Sequence, residues 1–232
     1  MTTNFFCVNN VKKAVGKIVL AITAIAIASI LLYTLKVKAA KVVTALNAFY
    51  YLVSEETYTQ AGAYEVLGEG GAGYLLENDG EEYVAYSVYL SQGIGERVCA
   101  DVLEQKGGVR LIEKKIPSLY FKSVVEKQKA NMVVGALNSY YGCIQVLEQE
   151  IARLDKGATQ ESSKRILTTL CKQFRYLENT YKESYPVFSE QCHWAQETLQ
   201  EIVEGCVYGK DLRFLLCGLT EGYLFLASEF SL

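Results

Sequence analysis

The sequence predicts an α+β protein: an N-terminal transmembrane helix, a ferredoxin-like βαββαβ domain, then an antiparallel α-helical bundle. Three observations predict this class. Residues 18–35 form an apolar run without a charge. From 48 to 116, short aromatic and β-branched runs alternate with helical stretches that end in glycine. From 117 to 232, apolar residues recur at alternating steps of four and three. The organisation that follows is a tail (1–17), a transmembrane helix (18–35), a juxtamembrane spacer (36–47), the βαββαβ domain (48–116) and the helical domain (117–232).

The apolar run reads IVLAITAIAIASILLYTL. As a helix it spans about 27 Å, close to the hydrocarbon thickness of a bilayer. Lysines close it on both sides, and Tyr33 sits near one end, where an aromatic ring suits the interface. A globular core helix rarely runs so far without a polar face. The rival is a cleaved signal peptide, but Lys38-Ala39-Ala40 is a poor cleavage site. An uncleaved anchor is the favoured reading. Three lysines on each side leave its orientation open.

Lys36 to Asn47 reads as a helical continuation or spacer. Ala48 to Val53 (AFYYLV) has strand composition. Thr57 suits an N-cap, with Ala61, Tyr64 and Leu67 on one helical face up to the GEGGAG run at 68–73. Tyr74–Leu76 begins a second strand, Asn78-Asp79-Gly80 turns the chain, and Glu82–Leu90 is a third strand. Gln92 to Gln105 is helical, with Ile94, Val98, Cys99, Val102 and Leu103 toward a core. Gly107-Gly108 stops it, and Val109–Ile112 is the last strand. The order is the split-βαβ plan.

Helical character is expected from Pro117 onward. Val133, Leu137, Tyr140, Ile144, Leu147, Ile151 and Leu154 form the first seam, followed by a turn at 155–159. Leu167, Leu170, Phe174, Leu177 and Tyr181 form the second, with Pro186 closing the helix. Phe188, Cys192, Ala195, Leu199, Ile202 and Cys206 form the third; Leu212, Leu216, Leu219, Tyr223 and Leu226 form the fourth. Short connections favour sequential antiparallel hairpins.

Charge and rare residues narrow the function. Residues 1–54 carry six lysines and no acid, so the remainder has a net charge of -9. Nucleic acid, which needs basic patches, is not an expected partner. The GEGGAG run ends a helix and opens a strand, the reverse of a phosphate loop, and reads as a cap and turn. The seven cysteines (Cys7, Cys99, Cys143, Cys171, Cys192, Cys206 and Cys217) contain no C-x-x-C pair. Cys99, Cys192 and Cys206 fall at buried-type positions, and pairing among the six after the anchor stays open for an oxidising compartment. The single histidine, His193, reads as a surface residue. Glu55, Glu56, Glu81 and Glu82 flank turns and read as solvated. No metal, no cofactor and no enzyme activity is expected.

The stretch from Ala48 to Leu119 resembles the SPOR (sporulation-related repeat) domain of bacterial envelope proteins. The residues that carry the resemblance are FYYLVS, TQAGAYEV, GGAGYLL and, above all, EYVAYSVYLSQGIGERVCADVL. The resemblance implies a membrane-anchored, extracytoplasmic protein that binds peptidoglycan glycan strands in cell division or sporulation, across an exposed sheet face. Strict alternation places Tyr50 and Leu52 on that face, with Tyr83, Ala85, Ser87 and Tyr89. The expected glycan-binding residues are therefore Tyr50, Leu52, Tyr83, Ser87 and Tyr89. Departures from the family's pattern are Leu52, Ser54-Glu55-Glu56 and a third strand without arginines. The alternative is a membrane-tethered scaffold, in contact with the lipid bilayer, whose helical domain binds a protein partner while the SPOR-like fold binds no glycan.

Overall fold

Six strands and five helices occupy the residues that the computed structural model describes: 40–42, 47–58, 71–105, 107–121 and 124–231. The expected anchor at 18–35, most of the expected helix at 57–67 and Gly68–Gly70 lie outside the described residues. Among the described residues no helix is long and apolar enough to cross a membrane. The strands are β1 (Ala40–Val42), β2 (Ala48–Ser54), β3 (Tyr74–Asn78), β4 (Glu81–Tyr89), β5 (Val109–Lys115) and β6 (Leu119–Phe121). The helices are α1 (Gln92–Gln105), α2 (Val124–Asp155), α3 (Gln160–Tyr181), α4 (Pro186–Glu204) and α5 (Gly209–Ser228).

Four strands make one antiparallel sheet in the order β3-β4-β2-β5. The β3–β4 hairpin closes on Asp79 and Gly80 at φ 55° and 81°. Left-handed backbone at both positions matches the twist of a two-residue hairpin, and Asp and Gly tolerate it. Gly107 and Gly108, at φ 70° and 68°, stop α1 as expected. Thr159 caps α3, its side chain accepting from Ser162 N–H at 3.3 Å.

Several boundaries differ from the expectation. The spacer at 36–47 contains a strand, β1, which pairs antiparallel with β6 (Lys41 opposite Tyr120). Helix accordingly starts at Val124, after β6, and not at Pro117. Three-residue strands carry no readable periodicity, and this pair joins residues far apart in sequence. Pro186 opens α4 at its first turn instead of closing α3, because a missing N–H is harmless there. Cys206 lies beyond the end of α4 and is exposed. Ile94 and Leu103 are 40% and 47% exposed, so α1 buries a narrower face, centred on Cys99.

One apolar cluster runs through both sheet and bundle. Phe49, Tyr51, Val53, Ala85 and Val88 join Leu137, Ile144, Leu147, Leu170 and Tyr223 in it. A second, smaller cluster lies on the other sheet face, where Leu52, Val109 and Cys99 meet Tyr86, Tyr89, Val98, Val102 and Leu111. Polar clamps fix the helices. Glu150, 1% exposed, accepts from Ser163 Oγ on α3 and pairs with Arg153, both at 2.6 Å. The Gln160 amide donates to Val207 C=O at 2.6 Å and accepts from its N–H at 2.8 Å.

Glu148 on α2 accepts from the Leu90 N–H at 3.0 Å, tying the end of β4 to the bundle. Burial raises its carboxyl above the ordinary value, and the Leu90 N–H only partly opposes this. A carboxyl raised on folding binds more protons folded than unfolded, so its contribution to stability falls as pH rises above about 4.3. Glu148→Gln keeps an acceptor for Leu90 and removes the buried charge. Urea unfolding at acidic and neutral pH should show that the variant has a smaller stability loss between the two. An equal loss in variant and parent would mean that this carboxyl does not govern the pH dependence.

Candidate functional site

The residues expected to form one glycan platform are divided between the two faces of the sheet. Between Leu52 opposite Ser87 and Val53 opposite Ala85, β4 advances two residues while β2 advances one. This bulge at Tyr86 reverses the alternation. Tyr83 and Ala85 therefore join the cluster on the bundle side, whereas Tyr89 belongs to the cluster on the α1 side. The local cause is the entry to β3: Ala72 N–H donates to Tyr86 C=O at 2.8 Å, and a side chain at Gly71 would stand 2.7 Å from Tyr86 Cβ. Tyr83 is 2% exposed, its hydroxyl donating to Glu81 and its ring lying under the Arg110 guanidinium at 4.4 Å.

Leu52 and Ser87 are also buried, at 4% and 5% exposure. Tyr50 packs under α1, where a side chain at Gly95 would stand 3.3 Å from its Cβ. Leu52, Ser87 and Tyr89 do line one cavity of about 510 Å³, together with Tyr86, Val98 and Arg213. The opposite sheet face, which receives Tyr83 and Ala85, is covered by the bundle. Tyr51 at its centre donates to Glu221 at 2.8 Å, lies 2.8 Å from Thr220 Oγ1, and sits within 5.9 Å of Lys114 Nζ, which bridges to Glu221 at 2.9 Å. Burial first, and then the Glu221 charge, raise the Tyr51 hydroxyl well above the usual phenol value.

The bundle holds a groove that the seams did not indicate. One stripe of α5 presents Phe214, Gly218, Gly222 and Phe225 along its wall, at steps of four, four and three. From α4 the wall carries Gln191, Trp194, Thr198 and Ile202, and the start of β3 closes it with Tyr74. Two cavities of about 360 and 420 Å³ lie along this groove, the first against Phe214 and the second against Gly218, Gly222 and Phe225. Gly218 and Gly222 line the second one, and their missing side chains let neighbouring residues pack directly on α5. A side chain at Gly218 would meet the Trp194 ring at 2.4 Å, and one at Gly222 would meet Gln191 Oε1 at 2.7 Å and Tyr140 Oη at 3.1 Å.

Tyr74 and Phe214 meet edge to face at 5.4 Å, and Phe214 and Phe225 remain 40% and 51% exposed. Burial, then the Glu221 charge, push the Tyr74 hydroxyl up to about 12, so it stays neutral at ordinary pH. The rim carries Glu201 and Asp211 against Lys210. The signal available in the sequence was the pair of small residues four apart on a helix that also exposes two phenylalanines.

The other candidates form no reactive centre. His193 lies between Glu178 and Glu197, at 3.2 Å from each, two acidic partners where none was expected from the sequence. Among the described residues no group of three or more His, Cys, Asp or Glu is placed to hold a metal. All six described cysteines are free thiols; burial pushes Cys143 up to about 12 and raises Cys192 and Cys217 further. No family model, curated protein or solved structure matches the chain.

Proposed function

We propose that the protein is a non-enzymatic, membrane-anchored scaffold, held by residues 18–35 with its folded part outside the cytoplasm, that binds a partner protein in the α4–α5 groove. The observation that carries this reading is the groove itself: two exposed phenylalanines flank cavities floored by glycine, while the expected sugar platform is split and covered. Exposed rings beside well-formed sockets are the usual anatomy of a protein-binding hot spot. Phe214 and Phe225 lie eleven positions apart on α5, about 16 Å at ~1.5 Å per residue.

An extended segment covers that distance in about five residues. The occupant is therefore an extended stretch with apolar side chains about five positions apart, flanked by basic residues that face Glu201 and Asp211. β3, an edge strand of the sheet, borders the same groove and favours an extended partner. A photo-reactive residue at Phe225 should give a discrete adduct in cells, and Phe214→Asp should abolish it. The same probe at Tyr176, 67% exposed on α3, should not give it. Identical adducts from both positions, or none from Phe225, would overturn the reading.

A second reading keeps the SPOR-like assignment and rests on the strand order β3-β4-β2-β5, which suits the split-βαβ plan, and on the cavity that gathers Leu52, Ser87 and Tyr89. A glycan strand would then enter on the α1 side, with Tyr86 and Tyr89 as rings and Arg213 as a donor. Retention on amidase-treated sacculi, lost in Tyr89→Ala and unchanged in Phe225→Ala, would favour it over the groove.

A further inference from the structure

A lysine-rich stretch of this acidic chain lies at one end of the fold. From Glu113 to Lys129 the sequence has five lysines and two glutamates. Lys115 ends β5 opposite Ala48, and Ile116 N–H donates to Asn47 C=O at 2.9 Å, so this end of the sheet meets the segment that leads back to β1. Lys41 stands on β1, paired across to Tyr120 on β6. Helix α2 leaves β6 after two residues and places Lys127 and Lys129 in its first two turns. Tyr120 N–H donates to Phe230 C=O at 2.6 Å, which brings the end of the chain to the same place. Lys115 and Lys129 are exposed.

The other end of the strands is acidic. Glu55 and Glu56 follow β2, and Glu77, Asp79, Glu81 and Glu82 surround the β3–β4 hairpin, with Arg110 as their basic neighbour. The folded part is therefore electrically polarised along the sheet, a feature that the net charge of -3 conceals.

The tether decides which way this polarity points. Four residues, Lys36 to Ala39, separate the apolar run from β1, and a chain of that length reaches at most about 14 Å. That distance is less than two Debye lengths at physiological salt, about 8 Å each. We infer that the end of the fold formed by the β1–β6 ribbon, the end of β5 and the start of α2 lies on the anionic phospholipid headgroups of the membrane that holds the chain. Lys115 and Lys129, both exposed, make the contact, and the acidic hairpin points away. This inference rests on the anchor assigned to residues 18–35. Lysines next to a membrane segment gain from the negative surface potential of anionic lipid, and acidic side chains lose from it. The ribbon end is thereby drawn down and the hairpin end repelled, which holds the α4–α5 groove at a set height above the bilayer.

The test compares full-length protein reconstituted in purely zwitterionic vesicles and in vesicles containing anionic phospholipid. A water-soluble amine-acylating reagent is applied, and each lysine is followed by mass spectrometry. At low salt, Lys115 and Lys129 should react ~3-fold or more slowly in anionic vesicles, and high salt should erase the difference. Lys156 and Lys172, both exposed away from this end, should react alike in the two compositions. Soluble glycerophosphate added to zwitterionic vesicles should protect nothing, which separates a lipid surface from free phosphate.

Equal rates in the two compositions, or equal protection of Lys156, would overturn the inference. Carbonate-resistant flotation reads the anchor separately. If the chain floats and the rates are equal, the surface contact is wrong while the anchor stands. If the chain does not float, the same labelling with vesicles added to the soluble chain decides: protection confined to Lys115 and Lys129 supports the contact, and its absence overturns it.

Discussion

Phe49→Ala should lower the stability of the whole fold by about 3–5 kcal/mol, the usual cost of deleting a buried aromatic ring. Phe49 is 0% exposed on β2, and its ring meets Tyr223 of α5 edge to face at 5.7 Å and 90°. The deletion removes a sheet residue and a bundle contact at once. Trp194, the single tryptophan, sits on α4 within the bundle. Its fluorescence transition should therefore shift in step with far-ultraviolet circular dichroism. A shift in the dichroism signal with an unmoved Trp194 transition would show that sheet and bundle melt as separate units, against the shared core.

Ile144→Ala should cost about 2–5 kcal/mol, the range for large-to-small substitution in a packed core. Ile144 is 0% exposed on α2, one turn from Tyr140, whose ring meets Phe174 of α3 and Phe188 of α4 edge to face at 5.7 Å each. Rigid aromatic neighbours collapse poorly into a void, which favours the upper part of the range. An unfolding midpoint indistinguishable from that of the parent would mean that α2 is not packed on its other helices in solution. A midpoint that falls only on dilution would mean that the packing comes from a second copy.

The helical half was largely legible from spacing. Leu137, Ile144, Leu147, Leu170, Phe174, Phe188 and Leu199 are all buried as the seams require, because a helix covered on one side writes that side into the sequence every three to four residues. The bounds of α1 and the hairpin at Asp79-Gly80 were legible for a related reason: glycine and short polar residues at left-handed positions are local requirements. Cys206 and Pro186 were misread because a seam says nothing of where the backbone stops. Tyr83 and Tyr89 do not share a face as strict alternation requires, because alternation assumes an unbroken register and a one-residue bulge exchanges the two faces.

By itself, then, the sequence determined what is local: the α+β class, the strand and helix faces that avoid water, the tight turns, and the lysine-flanked apolar run at 18–35. Only the tertiary structure decided what covers each face. Tyr51 meets Thr220 across 169 positions and Lys114 meets Glu221 across 107, so the coverage of the sheet by α5 depends on pairings that no window of sequence contains. The same holds for the β1–β6 ribbon, for the bulge at Tyr86 and for the α4–α5 groove, where Gly218 matters because the Trp194 ring of another helix lies on it. Periodicity records that a side chain leaves water; which atoms receive it is set by the packing of distant elements, whose energies exceed any local preference.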